Sequence, residues 1–139
     1  MAISRKKQEA ITKLYNAEVA LCKYRGIPYD EYRYTVKGTI QDILNKADRI
    51  LALTKEPLPA ATDKQIHFLE ILLAKDYNSG SRAIYEAKKE DGKIPNRFQV
   101  SELISELKYC DDLIYGHYMV CQEEFAEIDK KIEDILSMI

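Results

Sequence analysis

Residues 100–139 place apolar side chains at Val100, Leu103, Leu107, Cys110, Ile114, Tyr118, Cys121, Phe125, Ile128, Ile132, Ile135 and Ile139, in steps of three and four with no proline among them. That spacing keeps one apolar stripe on one side of a helix, and the two successive fours around Ile114 are a stutter that locally relaxes a left-handed seam. A single unbroken helix here would extend about 60 Å at about 1.5 Å per residue, longer than a domain of this size is wide. Other helices are therefore expected to pack along it. Gly116 is its weakest point, costing about 1 kcal/mol against alanine in a helix interior.

The first helix is predicted to start at Ser4, a good N-cap, and to carry Ile11, Leu14, Tyr15, Leu21 and Cys22 inward as far as Arg25. Gly26 stops it and Pro28 prevents immediate resumption. Asp30 is placed to cap a second helix with the stripe Val36, Ile40, Ile43, Leu44, Ala47, Ile50 and Leu51. So short a connection predicts antiparallel neighbours, which would complete a three-helix bundle with the C-terminal stripe.

Lys55 to Pro59 reads as a linker, because its two prolines remove backbone donors and hold the chain extended. After it, Thr62, Asp63, Lys64 and Gln65 form a capping box opening a helix with Ile66, Leu69 and Leu73 on its inner face. Tyr77 to Gly80 end that helix, a shorter one follows to Glu90, and Asn96 with Gln99 forms a capping pair before the long C-terminal stripe. The expectation is an all-α chain: one helical domain over 1–139, arranged as an antiparallel bundle. It comprises an N-terminal helical hairpin (1–56), a small inserted helical module (57–99) and a long C-terminal helix (100–139).

Ala61, Thr62, Lys64, Gln65, Ile66, Phe68, Leu69 and Leu72, followed by Ser101, Glu102, Leu103, Ile104 and Leu107, resemble a small helical module at the ends of phage single-strand annealing and recombination proteins. The same pattern, "Ala-Thr-x-Lys-Gln" closed by "Ser-x-Leu-Ile-x-x-Leu", is similar to one in phage Mu-type transcription regulators. The resemblance implies a phage or mobile-element origin and a connection to nucleic-acid machinery. It supplies no active site.

The formal net charge of -2 hides an asymmetry. Residues 1–35 carry seven Lys/Arg against four Asp/Glu, residues 36–99 eleven against nine, and residues 100–139 three against ten. The acidic C-terminal stretch is an ordinary solvated face, or lies beside the basic N-terminal helix, or presents a negative stripe to a basic partner. Asp111, Asp112, Glu123, Glu124 and Glu127 are the carboxylates that would form such a stripe. The densest aromatic and basic cluster is Tyr24, Arg25, Tyr29, Tyr32, Arg33 and Tyr34, residue types that anchor protein interfaces or stack unpaired bases. Tyrosines near helix ends also close bundles with only their hydroxyls wet.

Chemistry is sparse by contrast. Two histidines, His67 and His117, do not furnish an acid-base or metal scheme, and His117 with Cys121 provides only two of the four ligands a structural zinc site needs. Asp111 with Asp112, and Glu123 with Glu124, are adjacent on a helix and about 100° apart, so neither pair converges as acid-base carboxylates must. No nucleophile elbow or phosphate-binding glycine loop is present. Cys22, Cys110 and Cys121 sit at apolar helical positions as reduced core thiols. No secretory leader or membrane span is evident, so the expected location is the cytoplasm of a host cell.

The expectation on function is accordingly a non-enzymatic interaction protein with no cofactor and no metal. It binds a protein partner with a basic surface and modulates a host nucleic-acid-processing complex, in the manner of an anti-CRISPR inhibitor of a defence nuclease. The alternatives are an accessory nucleic-acid-binding protein in phage recombination or regulation, which the net acidity opposes, and a structural bundle that forms a homodimer.

Overall fold

The structure is a computed structural model that describes residues 4–29, 36–115 and 122–139. It is all-α, with six α-helices and no strand among the described residues. The chain divides into two compact units, Met1–Pro57 and Leu58–Ile139, each with its own core.

The first unit holds α1 (Arg5–Arg25) and α2 (Ile40–Leu53). Ser4 caps α1 by accepting from the Lys7 amide, and Gly26, at φ 70°, ends it with Ile27 N–H bonded back to the Cys22 carbonyl. Ala10, Leu14 and Ala17 meet Ile43 and Ala47 in a small core. The second helix differs from expectation in its start. Thr39 caps it, with Thr39 and Asp42 forming a reciprocal capping box, and Val36 lies ahead of it in the connection. Asp30, the expected cap, lies outside the described residues.

The relation between these helices also differs. The Tyr24 hydroxyl donates to the carbonyl of Glu56, just beyond the end of α2, so the C-terminal ends lie together and the helices run in the same direction. Chain length explains this. Gly26 and Thr39 bracket a connection long enough, at about 3.3 Å per extended residue, to return along α1 before α2 begins. Tyr29 is already on that path: its ring meets Tyr15 edge-on at 5.3 Å, and its hydroxyl bonds Glu18.

The second unit holds α3 (Asp63–Leu73), α4 (Ser79–Glu90), α5 (Arg97–Tyr115) and α6 (Gln122–Ser137), with a 3-10 turn at Asp76–Asn78. The Thr62–Gln65 capping box forms as the sequence predicts, and Asn96 and Gln99 exchange amide-to-side-chain hydrogen bonds of 3.0 Å at the start of α5. Leu69, Leu73, Leu103, Leu107, Ile132, Ile135 and Leu136 are buried together at the centre. Helix α3 runs parallel to α5, tied at one end by Arg97 N–H to the Pro59 carbonyl and at the other by Lys75 to Asp111.

The long C-terminal helix is not what residues 100–139 form. They make two helices lying side by side in opposite directions: Gln99 Nε2 donates to the Met138 carbonyl, and Glu106 faces Lys131. Both halves of the stripe point into one core, because a hairpin buries Leu103, Leu107 and Cys110 against Ile128, Ile132 and Ile135, whereas a rod of that length would leave half of them without a neighbour. Gly116, the expected weak point, lies outside the described residues.

Candidate interaction surfaces

In the first unit, the tyrosines that the structure describes are engaged internally. Tyr24 spends its hydroxyl on the Glu56 carbonyl, and Tyr29 spends its ring on Tyr15 and its hydroxyl on Glu18. Arg25 is half-buried beside them. Tyr24 nonetheless stays 36% exposed, and Tyr29 is half-buried against the middle of α1. Tyr32, Arg33 and Tyr34 lie outside the described residues.

Beneath Tyr29 is a feature the sequence did not announce. Glu18 sits on the apolar side of α1, four residues after Leu14, and is only 4% exposed. Its Oε1 has no hydrogen-bond partner. Burial pushes its carboxyl above the ordinary range, outweighing the attraction of Lys46 and the Tyr29 hydrogen bond, both of which favour the charged form.

In the second unit the candidate carboxylates separate into three groups. Asp111 is already satisfied: Lys75 Nζ lies 3.1 Å away, the Tyr77 hydroxyl donates to the same oxygen, and that bond holds its carboxyl below the usual range. The tyrosine in turn is pushed well above its ordinary value by burial and by the adjacent carboxylate. Lys75 also lies 5.3 Å from the centre of the Tyr115 ring. Asp112 and Glu123 are exposed and isolated from this cluster. Glu124 and Glu127 line a groove.

The groove runs between α5 and α6 and has a volume of about 410 Å³. Helix α5 contributes Ser105, Glu106 and Tyr109, and α6 contributes Glu124, Glu127, Ile128 and Lys131. Three carboxylates face one lysine, which stands 3.9 Å from Glu106. Glu124 and Glu127 carry no ion pair among the described residues. Tyr109, 49% exposed, forms an aromatic edge. Glu106, Tyr109, Ser105 and Lys131 were not legible as site residues, because only the hairpin brings positions from both halves of the stripe face to face. A carboxylate at position 106 and one at position 127, each one residue away from a buried position (Leu107, Ile128), was the available signal.

No three metal-binding side chains gather among the described residues, and His117 and Cys121 lie outside them. His67 is exposed on α3, and Cys22 and Cys110 are buried free thiols. No described helix is long and apolar enough to cross a membrane. No protein-family model matches the chain, and neither a curated protein nor a solved structure shows significant similarity to it.

Proposed function

We propose that the chain is a non-enzymatic interaction protein whose α5–α6 groove receives a basic segment of another protein. The partner is a host nucleic-acid-processing complex, and the concrete form of the activity is inhibition of a defence nuclease in the anti-CRISPR manner. One observation carries this: Glu106, Glu124 and Glu127 gather around Tyr109 with a single lysine among them. Proteins that handle nucleic acid hold phosphates with lysine and arginine. A groove of carboxylates complements such a surface, steers its approach and adds an aromatic anchor at the point of contact. The resemblance of residues 61–107 to a phage module supports the mobile-element setting.

The test uses an oligoarginine peptide as the basic probe. Wild type should bind it with a steep salt dependence, and Glu124→Lys with Glu127→Lys should weaken binding by about tenfold or more. A control with Glu86→Lys and Glu90→Lys makes the same change in net charge on α4, away from the groove, and should bind like wild type. Equal losses in both variants would reduce the effect to bulk charge and overturn the reading. Salt-sensitive binding of wild type to DNA through residues of the groove would overturn it too, in favour of an accessory nucleic-acid-binding role.

A further inference from the structure

The opposite flank of α5 carries a surface of the other sign. On α3, Lys64, Phe68 and Ile71 follow one another in steps of four and three, a single stripe turned away from the core, and Lys75 lies just beyond the end of the helix. Phe68 is 40% exposed and Ile71 49%. On α5, Arg97, Ser101, Ile104, Lys108, Asp111 and Tyr115 form the stripe that meets α3, as the Lys75–Asp111 bridge shows. Together the two parallel helices present the exposed side chains of Phe68 and Ile71, with Ile104 partly buried against the core. On this side stand four cations, Lys64, Lys75, Arg97 and Lys108, against two carboxylates, Asp111 and Asp112, the latter one turn after Lys108. Lys75 is committed to Asp111, whereas Lys64, Arg97 and Lys108 carry no ion pair among the described residues.

We infer that this α3–α5 face binds the acidic α5–α6 groove of a second copy of the chain, so that molecules associate head to tail. The inference rests on the groove reading above and adds a second copy of the chain as an occupant that competes with the host partner's basic segment. Charge complementarity selects the occupant: three groove carboxylates with one lysine meet an apolar face edged by Lys64, Arg97 and Lys108. Phe68 on this face can stack a base, but Ile71 beside it suits a protein surface better than a nucleic acid strand, since an aliphatic side chain offers bases no stacking platform. Pairing within one chain is excluded by geometry. Both surfaces are built on α5, where Ile104 and Glu106 point about 200° apart, so one copy cannot lay its own face into its own groove. Two different patches in contact make a heterologous interface, which leaves a free face and a free groove at the ends and permits further addition.

Sedimentation of the full chain at low salt should show a mass that starts from the 16.1 kDa monomer and rises with concentration. It should return to the monomer near 0.5 M salt, where screening acts over roughly 4 Å. Lys64→Gln with Lys108→Gln removes the face, and Glu124→Gln with Glu127→Gln removes the groove; each variant alone should weaken self-association by about tenfold or more. Mixed in equal amounts they should form a one-to-one heterodimer and nothing larger, because the mixture retains one intact face and one intact groove. Helical circular dichroism checks that both variants remain folded. A wild type that stays monomeric at low salt, a mixture no larger than its components, or variants that associate like wild type would overturn the inference. So would binding of an oligothymidylate that depends on Lys64 and Lys108, which would give the face to nucleic acid. If wild type stays monomeric yet binds oligoarginine through Glu124 and Glu127, this inference fails while the groove reading stands; loss of both sinks the reading as well.

Discussion

Replacing Glu18 by glutamine should stabilise the first unit at neutral pH and leave it nearly unchanged in mild acid. Glu18 is almost wholly buried, its Oε1 has no partner, and its other interactions are the Tyr29 hydroxyl and the attraction of Lys46. A buried polar group without a partner costs about 1–3 kcal/mol. Glutamine keeps that unpartnered atom and removes only the cost of ionising a buried carboxyl, part of which Lys46 and Tyr29 offset, so the gain is about 1 kcal/mol. The sign follows from the raised carboxyl. A folded-state pKa above the unfolded one means that the contribution of Glu18 is fully present below the ordinary glutamate range and is lost as pH rises through the folded value. Wild type should thus lose stability as pH rises above the ordinary glutamate range, where Glu18→Gln does not. In a unit of this size about 1 kcal/mol corresponds to roughly 4–8 °C in melting temperature. Hydrogen exchange of the α1 amides around Leu14 to Cys22, followed across that range, reports the first unit without interference from the second. Parallel pH profiles for wild type and variant would show that the carboxyl ionises at no cost, and the argument from burial would fail.

Four further outcomes are expected. Leu103→Ala empties a fully buried position at the centre of the second unit and should cost about 3 kcal/mol in urea unfolding, whereas a cost below about 1 kcal/mol would mean that this core is loosely filled. Thr62→Ala removes the hydroxyl that accepts from the Gln65 amide, leaving only the backbone half of the α3 capping box, and should cost about 1 kcal/mol, with faster exchange of the first α3 amides; an unchanged protein would assign the cap no energetic role. Tyr77→Phe removes the donor that lowers the Asp111 pKa. Because that carboxyl is held below its usual range, its contribution is present at neutral pH and lost as pH falls through the folded value, so the variant should show a flatter acid-unfolding branch, with only about 1 kcal/mol at stake for so exposed a pair. Cys22 and Cys110 should resist a thiol reagent until the chain unfolds, and immediate reaction of either would contradict its burial.

The parts of the fold that were legible are those fixed within four residues. Ser4, Thr62 with Gln65, and Asn96 with Gln99 are caps whose donors and acceptors are near neighbours in the chain, and each forms as the residue types require. Directions and breaks were not legible. The steps from Val100 to Ile139 specify which side of a helix is apolar, and a rod and a hairpin satisfy that specification equally well. What separates them is whether a partner for the stripe exists, and the sequence places it in the stripe's own second half. The connection after Gly26 shows the same limit, since its composition marks a break without saying that Tyr29 will turn back onto Tyr15 and Glu18.

The candidate site follows the same logic. Local spacing grouped Asp111 and Asp112 with Glu123, Glu124 and Glu127 as one acidic run, yet Asp111 is the residue least available to a partner. Lys75 and Tyr77 reach it from 36 and 34 positions away in the sequence, on the far side of α5 from the groove. Folding thereby removes one carboxylate from the run and adds another, Glu106, that had looked like an ordinary surface residue. The exchange sharpens the surface. The neutralised aspartate secures α3 beside α5, and the remaining carboxylates are concentrated on the flank where α6 crosses Tyr109. On α5, Glu106 thus faces the groove while Arg97 and Lys108 stand on the other flank, beside Asp111 and Asp112. That separation gives the second unit two surfaces of opposite sign.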